Sequence, residues 1–120
     1  MRLAGLGVAL LSALVLASPA AAKDRYCSPT GDYCTSVARL GGVRYLRIGT
    51  FSFRGLVKIC VKAPGGPAIC HSFRLRKAGE IYQVKLIWKR HYPNHGTGTY
   101  RVTFFTGPTR LGPALAFTQP

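Results

Sequence analysis

The chain has 120 residues, in which 17 Lys and Arg face only three Asp and Glu, for a net charge of +14. That length accommodates one domain with one hydrophobic core, and so few acids argue against chemistry that needs two carboxylates in one cleft, glycoside hydrolysis above all. The excess charge sets up a field that attracts polyanions rather than forming ion pairs within the fold.

Met1-Arg2 opens the chain with a positive charge, Leu3 to Leu16 is almost wholly apolar, and Ser18-Pro19-Ala20-Ala21-Ala22 supplies a break and an Ala-x-Ala site. This order predicts a secretory signal peptide over 1–22 and a single domain over 23–120. The apolar run is shorter than the roughly 20 residues of a transmembrane helix, and no later run approaches it. The expectation is therefore a secreted, extracellular protein with no membrane span after cleavage. In that compartment its four cysteines pair.

Beyond residue 22 no segment keeps apolar residues at i, i+3, i+4 and i+7. Short alternating runs recur instead, broken by Gly and Pro, which is the pattern of an all-β sandwich or barrel. Seven strands are expected, over 34–39, 42–50, 55–62, 68–75, 81–89, 99–105 and 111–117. The third and fourth form a hairpin centred on Gly65. Its register places Cys60 opposite Cys70, Lys58 opposite Ser72 and Lys62 opposite Ala68. Because side chains alternate between faces, Val57, Ile59 and Val61 then share one face with Ile69, His71 and Phe73. Lys58, Cys60, Lys62, Ser72, Arg74 and Arg76 take the solvent face. A slip of one residue would destroy the apolar match and the cysteine match together. Cys60 is thus expected to bond Cys70, leaving Cys27 to bond Cys34. The spacings Cys-x6-Cys and Cys-x9-Cys do not resemble zinc knuckles.

The segment His95-Gly96-Thr97-Gly98-Thr99-Tyr100-Arg101-Val102 resembles the start of strand F in immunoglobulin-like and fibronectin type III-like domains, where Gly-Thr-Tyr-x-Cys and Gly-Thr-Tyr-x-Val are common. The chain also resembles small secreted bacterial proteins. The resemblance implies a seven-stranded antiparallel immunoglobulin-like sandwich, with Tyr100 pointing inward and its hydroxyl bonding backbone a few residues upstream. Val102 stands where antibody domains carry their second cysteine, so the inter-sheet disulfide is absent. Trp88 falls on the strand before the motif rather than on strand C. The same topology puts strands 3, 4, 6 and 7 in one sheet and strands 1, 2 and 5 in the other. Its core is Leu46, Ile48, Val57, Ile59, Val61, Ile69, Phe73, Tyr82, Val84, Leu86, Trp88, Tyr100, Val102, Phe104 and Leu115.

The residues offer little to catalysis. Asp24 lies near the start of the domain, Asp32 within the Cys27–Cys34 loop and Glu80 at a turn, so no two share a cleft. There is no Gly-x-Ser-x-Gly elbow, and Ser28, Ser36, Ser52 and Ser72 lack a marked base. His71 is expected in the core beside Ile59. His91 and His95 have helical metal-ligand spacing, but Pro93, Gly96 and Gly98 make a loop there, and the spacing loses its meaning. No enzyme activity, cofactor or metal is expected, and no specific nucleic-acid motif is present.

Charge remains. Lys58, Lys62, Arg74, Arg76 and Arg101 are expected to point outward from one sheet, with Arg54, Lys77 and Arg110 brought close by loops at one end. Guanidinium forks bind phosphate and carboxylate in pairs of hydrogen bonds. Phe51 and Phe53 sit near the same end and are expected to turn into the core. The resulting expectation is a non-catalytic binding protein for an anionic cell-wall polymer, glycan or cell surface. The alternative is a secreted inhibitor or effector that engages a protein partner through loop 63–67 or 90–98.

Overall fold

A computed structural model describes residues 23–120, so the expected signal peptide lies outside the described residues. The chain forms β1 (Arg25–Cys27), β2 (Tyr33–Ser36), β3 (Arg39–Leu40), β4 (Val43–Thr50), β5 (Leu56–Lys62), β6 (Ala68–Arg74), β7 (Arg76–Ala78), β8 (Ile81–Ile87), the one-turn helix α1 (Trp88–His91), β9 (Gly98–Thr106), β10 (Thr109–Arg110) and β11 (Leu115–Gln119). Two antiparallel sheets result. One runs β1-β2-β4-β8-β7, with β3 beside β2 on the same side of β4. The other runs β10-β9-β5-β6, with β11 also on β9. The expected division of strands between the sheets matches this arrangement.

The β5–β6 hairpin takes the expected register, pairing Cys60 with Cys70, Lys58 with Ser72 and Lys62 with Ala68. Both expected disulfides form, and each joins residues directly opposite on neighbouring strands. Cys60 is only 6% exposed, a departure from the solvent position assigned to the pair. It lies on the outward face, but Thr103 of β9 flanks it on the side away from Cys70. At Gly41-Gly42 both residues have positive φ, the backbone that a two-residue hairpin requires. That turn sets Leu40 against Val43 and Arg39 against Arg44.

Alternation builds the core. Val57 and Ile59 on β5, Tyr100, Val102 and Phe104 on β9, Leu46 and Ile48 on β4 and Leu115 on β11 are fully buried between the sheets. Each such side chain contributes roughly 1.5–3 kcal/mol. Ile69, Phe73 and Tyr82 only border the core. Val37, Ala63, Leu75, Tyr92, Leu111 and Phe117, outside the expected core set, join it. Trp88, Tyr100 and Phe117 close one end. The rings of Tyr100 and Phe117 stack at 5.1 Å, and Trp88 meets each edge-on at 5.0 and 5.1 Å.

Several features depart from expectation: β1 and β7 are additional strands, and the strand expected over 34–39 divides into β2 and β3. The strand expected over 81–89 stops at Ile87, where α1 begins. The Tyr92 N–H to Trp88 carbonyl bond (3.0 Å) closes that turn, and the bend buries Trp88 and Tyr92 together. The strand expected over 111–117 begins only at Leu115, as β11, while Thr109–Arg110 form the separate β10; Gly112-Pro113 lie between them, and proline cannot donate to a ladder. His71 is exposed rather than buried. It takes the expected face opposite Ile59, but β6 is an edge strand, where the rings of Tyr92 (5.1 Å) and Phe73 (6.5 Å) flank it without burying it.

Two tyrosine hydroxyls tie the irregular 92–98 segment to the sheets. Tyr92 donates to the Ile59 carbonyl, and burial pushes its pKa well above the ordinary value, with a backbone hydrogen bond at His71 opposing. Tyr100 Oη accepts from the His95 N–H at 2.9 Å and donates to the Gly96 carbonyl at 2.8 Å. Replacing Tyr100 with Phe leaves both backbone groups without that partner. The Tyr100→Phe variant is expected to lose about 1–3 kcal/mol in urea unfolding and to exchange its His95 amide faster, as read by hydrogen exchange. The disulfides close loops with sequence separations of 7 and 10, which the chain-entropy model equates with roughly 2.5–3 kcal/mol each. Unfolding of the oxidised Cys27→Ala/Cys34→Ala and Cys60→Ala/Cys70→Ala proteins should show losses of about that size. The second loss should be the larger, because it also opens a space at a buried residue.

Candidate anion-binding groove

The chain changes sheet at Leu75. Arg74 ends β6 at the edge of one sheet, Arg76 begins β7 at the edge of the other, and the Leu75 N–H between them bonds the Gly55 carbonyl at 2.8 Å. The crossing is anchored because Leu75 is buried. β7 is three residues long and pairs only with Ile81–Gln83 of β8. Among the described residues no strand lies beside the outer edge of β8 beyond Gln83, or beside the outer edge of β6. A groove of about 380 Å³ lies between the two edges.

Its walls follow from alternation and from the crossing. Val84 and Leu86, inward-facing on β8, and Phe73, inward-facing on β6, contribute apolar surface. Arg74, Arg76, Lys77 and Lys85 contribute four cations, and His91 of α1 a titratable ring. Gln83 adds a carboxamide, whose Oε1 accepts from Arg47 Nε at 3.3 Å. Phe73 and His91 meet edge-on at 5.2 Å. No Asp or Glu lines the groove. The cations therefore raise one positive potential over a low-dielectric floor, the arrangement that concentrates field on an anion. Lys85 Nζ sits 4.9 Å from the centre of the Tyr45 ring on β4, which does not line the groove, so the ring holds the ammonium toward β4 without neutralising it.

The eight basic residues expected to act together do not all converge. Arg74, Arg76 and Lys77 line the groove. Arg76 was expected on the outer face with Lys58 and Arg74, and is corrected to the other sheet, opposite Gln83. The sequence gives no sign of this, because the alternation Phe73, Arg74, Leu75, Arg76 runs unbroken through the crossing. Lys58, Lys62, Arg101 and Arg110 lie along β5, β9 and β10, where Lys62 pairs with Arg101, and Phe105 stands opposite both Lys58 and Arg110. Several are held locally: Lys58 over the Phe105 ring at 4.9 Å, Lys62 on the Gly66 carbonyl, and Arg110 on the Gly112 carbonyl at 3.1 Å. Arg54 stacks over Tyr82 at 5.1 Å, and Lys77 is the partner of Tyr82 across β7 and β8.

Lys85, Gln83 and His91 were not anticipated in the site. For Lys85 the signal was present, since alternation along β8 turns it outward between the inward Val84 and Leu86. Phe51 is 67% exposed, not in the core, and Phe53 is half-buried against Tyr33 at 6.2 Å. The loops proposed for partner insertion are tied down. The 63–67 turn is closed by the Gly66 N–H to Ala63 carbonyl bond, and Pro64 lies so close to Gly98 that a Cβ there would sit 2.6 Å from it.

The groove can bind and orient an anion through guanidinium and ammonium donors. It contains no carboxylate to act as base and no free thiol, because all four cysteines are in disulfides. Among the described residues no three His, Cys, Asp or Glu lie close enough together to hold a metal ion. Set against protein-family models, curated proteins and solved structures, the chain matches none.

Proposed function

We propose that this is a secreted, non-catalytic binding module that holds an anionic polymer or an anionic cell-surface component along its basic groove. The observation that carries the reading is the set of four cations, with no acid among them, on an apolar floor between two open strand edges. Such a trough suits a chain with repeated negative groups and an apolar or sugar backbone. The two disulfides, and the lack of a membrane-spanning helix among the described residues, are compatible with an extracellular setting. The domain type is immunoglobulin-like in this reading. Support comes from the strand orders β2-β4-β8-β7 and β6-β5-β9-β11, which follow the A-B-E-D and C′-C-F-G orders of that class, and from the Tyr100 hydroxyl bonds. The loop-insertion alternative has less support, because loops 63–67 and 90–98 are short and bonded to the sheets.

The test compares two variants with equal loss of charge. One carries Arg74→Ser, Arg76→Ser, Lys77→Ser and Lys85→Ser. The other carries Lys58→Ser, Lys62→Ser, Arg101→Ser and Arg110→Ser. Oxidised 23–120 protein is titrated with a carboxylated or sulfated polysaccharide at two salt concentrations. The groove variant is expected to bind at least about tenfold more weakly and to lose most of its salt dependence, since each lost contact removes released counterions. The outer-face variant should retain most of both. Equal losses in the two would reduce the interaction to net charge alone and overturn the groove assignment.

A further inference from the structure

A second cavity, of about 170 Å³, lies between the β3–β4 hairpin and α1 and shares no lining residue with the groove. Arg39, Arg44, Trp88, Lys89 and Asn94 are among its walls, and no Asp or Glu is. Arg39 and Arg44 stand directly opposite each other across β3 and β4, a like-charge pairing that disfavours the hairpin unless an anion joins it. The Gly41-Gly42 turn imposes that pairing, so the two guanidinium groups cannot be relieved by a register shift.

Arg44 is held in place. Its Nη1 donates to the Val37 carbonyl at 2.8 Å, and its guanidinium carbon lies 4.6 Å from the centre of the Phe117 ring. Its Nε, by contrast, is buried with no hydrogen-bond partner. Trp88, 2% exposed, has a buried Nε1 that also lacks one. Arg44 and Trp88 both line this small cavity, and two unpaired buried N–H donors on neighbouring residues are unusual, because buried donors are nearly always satisfied. Burial, and next the charge of Arg39, lower the Arg44 pKa, with Asp24 opposing as the smallest influence. Asn94 Oδ1 accepts the Gly96 N–H at 2.8 Å, which leaves its amide hydrogens to donate.

We propose that this cavity is an anion site for a small free carboxylate, bound by Arg44 and Arg39 with Trp88 Nε1 and the Asn94 amide as further donors. The carboxylate fits the chemistry: it is planar, singly charged and able to accept from a guanidinium and an indole N–H at once. The volume suits a carboxylate with a short apolar tail against Ile87 and Val43, not a polymer strand. The inference is independent of the polymer reading, because the two cavities have separate walls.

Trp88 is the only tryptophan in the chain, so one indole N–H signal and one emission spectrum report on the site. Propionate is titrated into the oxidised 23–120 protein, against sodium chloride at equal ionic strength and against propionamide as the neutral isostere. The expected result is a saturable downfield shift of the indole N–H with propionate alone. Arg39→Gln, at an exposed position, should raise the midpoint about tenfold, as should Arg44→Lys, which keeps the charge and loses the fork. The four-serine groove variant should leave the midpoint unchanged. A response that fails to saturate, that chloride or propionamide reproduces, or that survives Arg39→Gln at the same midpoint overturns the assignment.

Discussion

One register, β5 against β6, governs both faces of its sheet. β5 lies between β6 and β9, so Val57, Ile59 and Val61 are covered from both sides. A shift of one residue would turn these three outward and carry Lys58 and Lys62 inward. Burying an unpaired ammonium costs several kcal/mol, on top of the roughly 1.5–3 kcal/mol forfeited for each exposed aliphatic. The penalty thus far exceeds what the Cys60–Cys70 bridge contributes. The bridge follows from the register and then locks it. β9 pairs with β5 over Lys58–Lys62, and β11 in turn with β9, so the placement of Tyr100 and Phe117 at the closed end inherits the same choice.

At the opposite margin the sheets separate, and the groove is the consequence. Two edges close together would ordinarily be joined by a longer strand or covered by a loop. Here β7 is too short to cover β8, and Leu75, buried and hydrogen-bonded to Gly55, fixes where the chain departs. Charged side chains on the exposed edges, Lys85 among them, are also the usual defence against pairing with another chain. Solubility and anion binding therefore ask for the same residues at this margin. The two roles differ in one respect: a purely protective edge has no need of Phe73, Val84 and Leu86 beneath the cations.

Features governed by period-two alternation and by cysteine placement were legible in the sequence. These are the β5–β6 register and both disulfides; the division of strands between the sheets, and with it twelve of the fifteen expected core residues, followed from the resemblance carried by Gly98-Thr99-Tyr100. Where alternation says which face but not how well it is covered, the reading failed. His71 and Cys60 took their assigned faces, yet the edge position of β6 exposes the first and the flank of β9 buries the second. Arg76 was lost for a different reason. A strand that crosses between sheets without breaking its alternation leaves no mark in the sequence. The one-turn helix at Trp88 was hidden because four residues show no helical periodicity, and the burial of Tyr92 depends on that turn.

With three acids to 17 basic residues, this fold cannot hold its cations with carboxylates, and aromatic rings take over part of that role. Lys23 sits over Tyr26, Arg44 over Phe117, Arg54 over Tyr82, Lys58 over Phe105 and Lys85 over Tyr45. Each contact is worth about 0.5–1 kcal/mol at an exposed site and ~2 kcal/mol when desolvated. A carboxylate would hold a cation and cancel its charge; a ring holds it and leaves the charge to act at a distance. The two cavities use this differently. In the groove Lys85 has a ring contact, while Arg74, Arg76 and Lys77 have none and must surrender side-chain freedom to a ligand, so binding there rests on many weak, salt-screened contacts. In the smaller cavity Arg44 is already immobilised by Phe117 and the Val37 carbonyl. Its ordering cost is met by folding, which lets a single anion be held by few donors and with less sensitivity to salt.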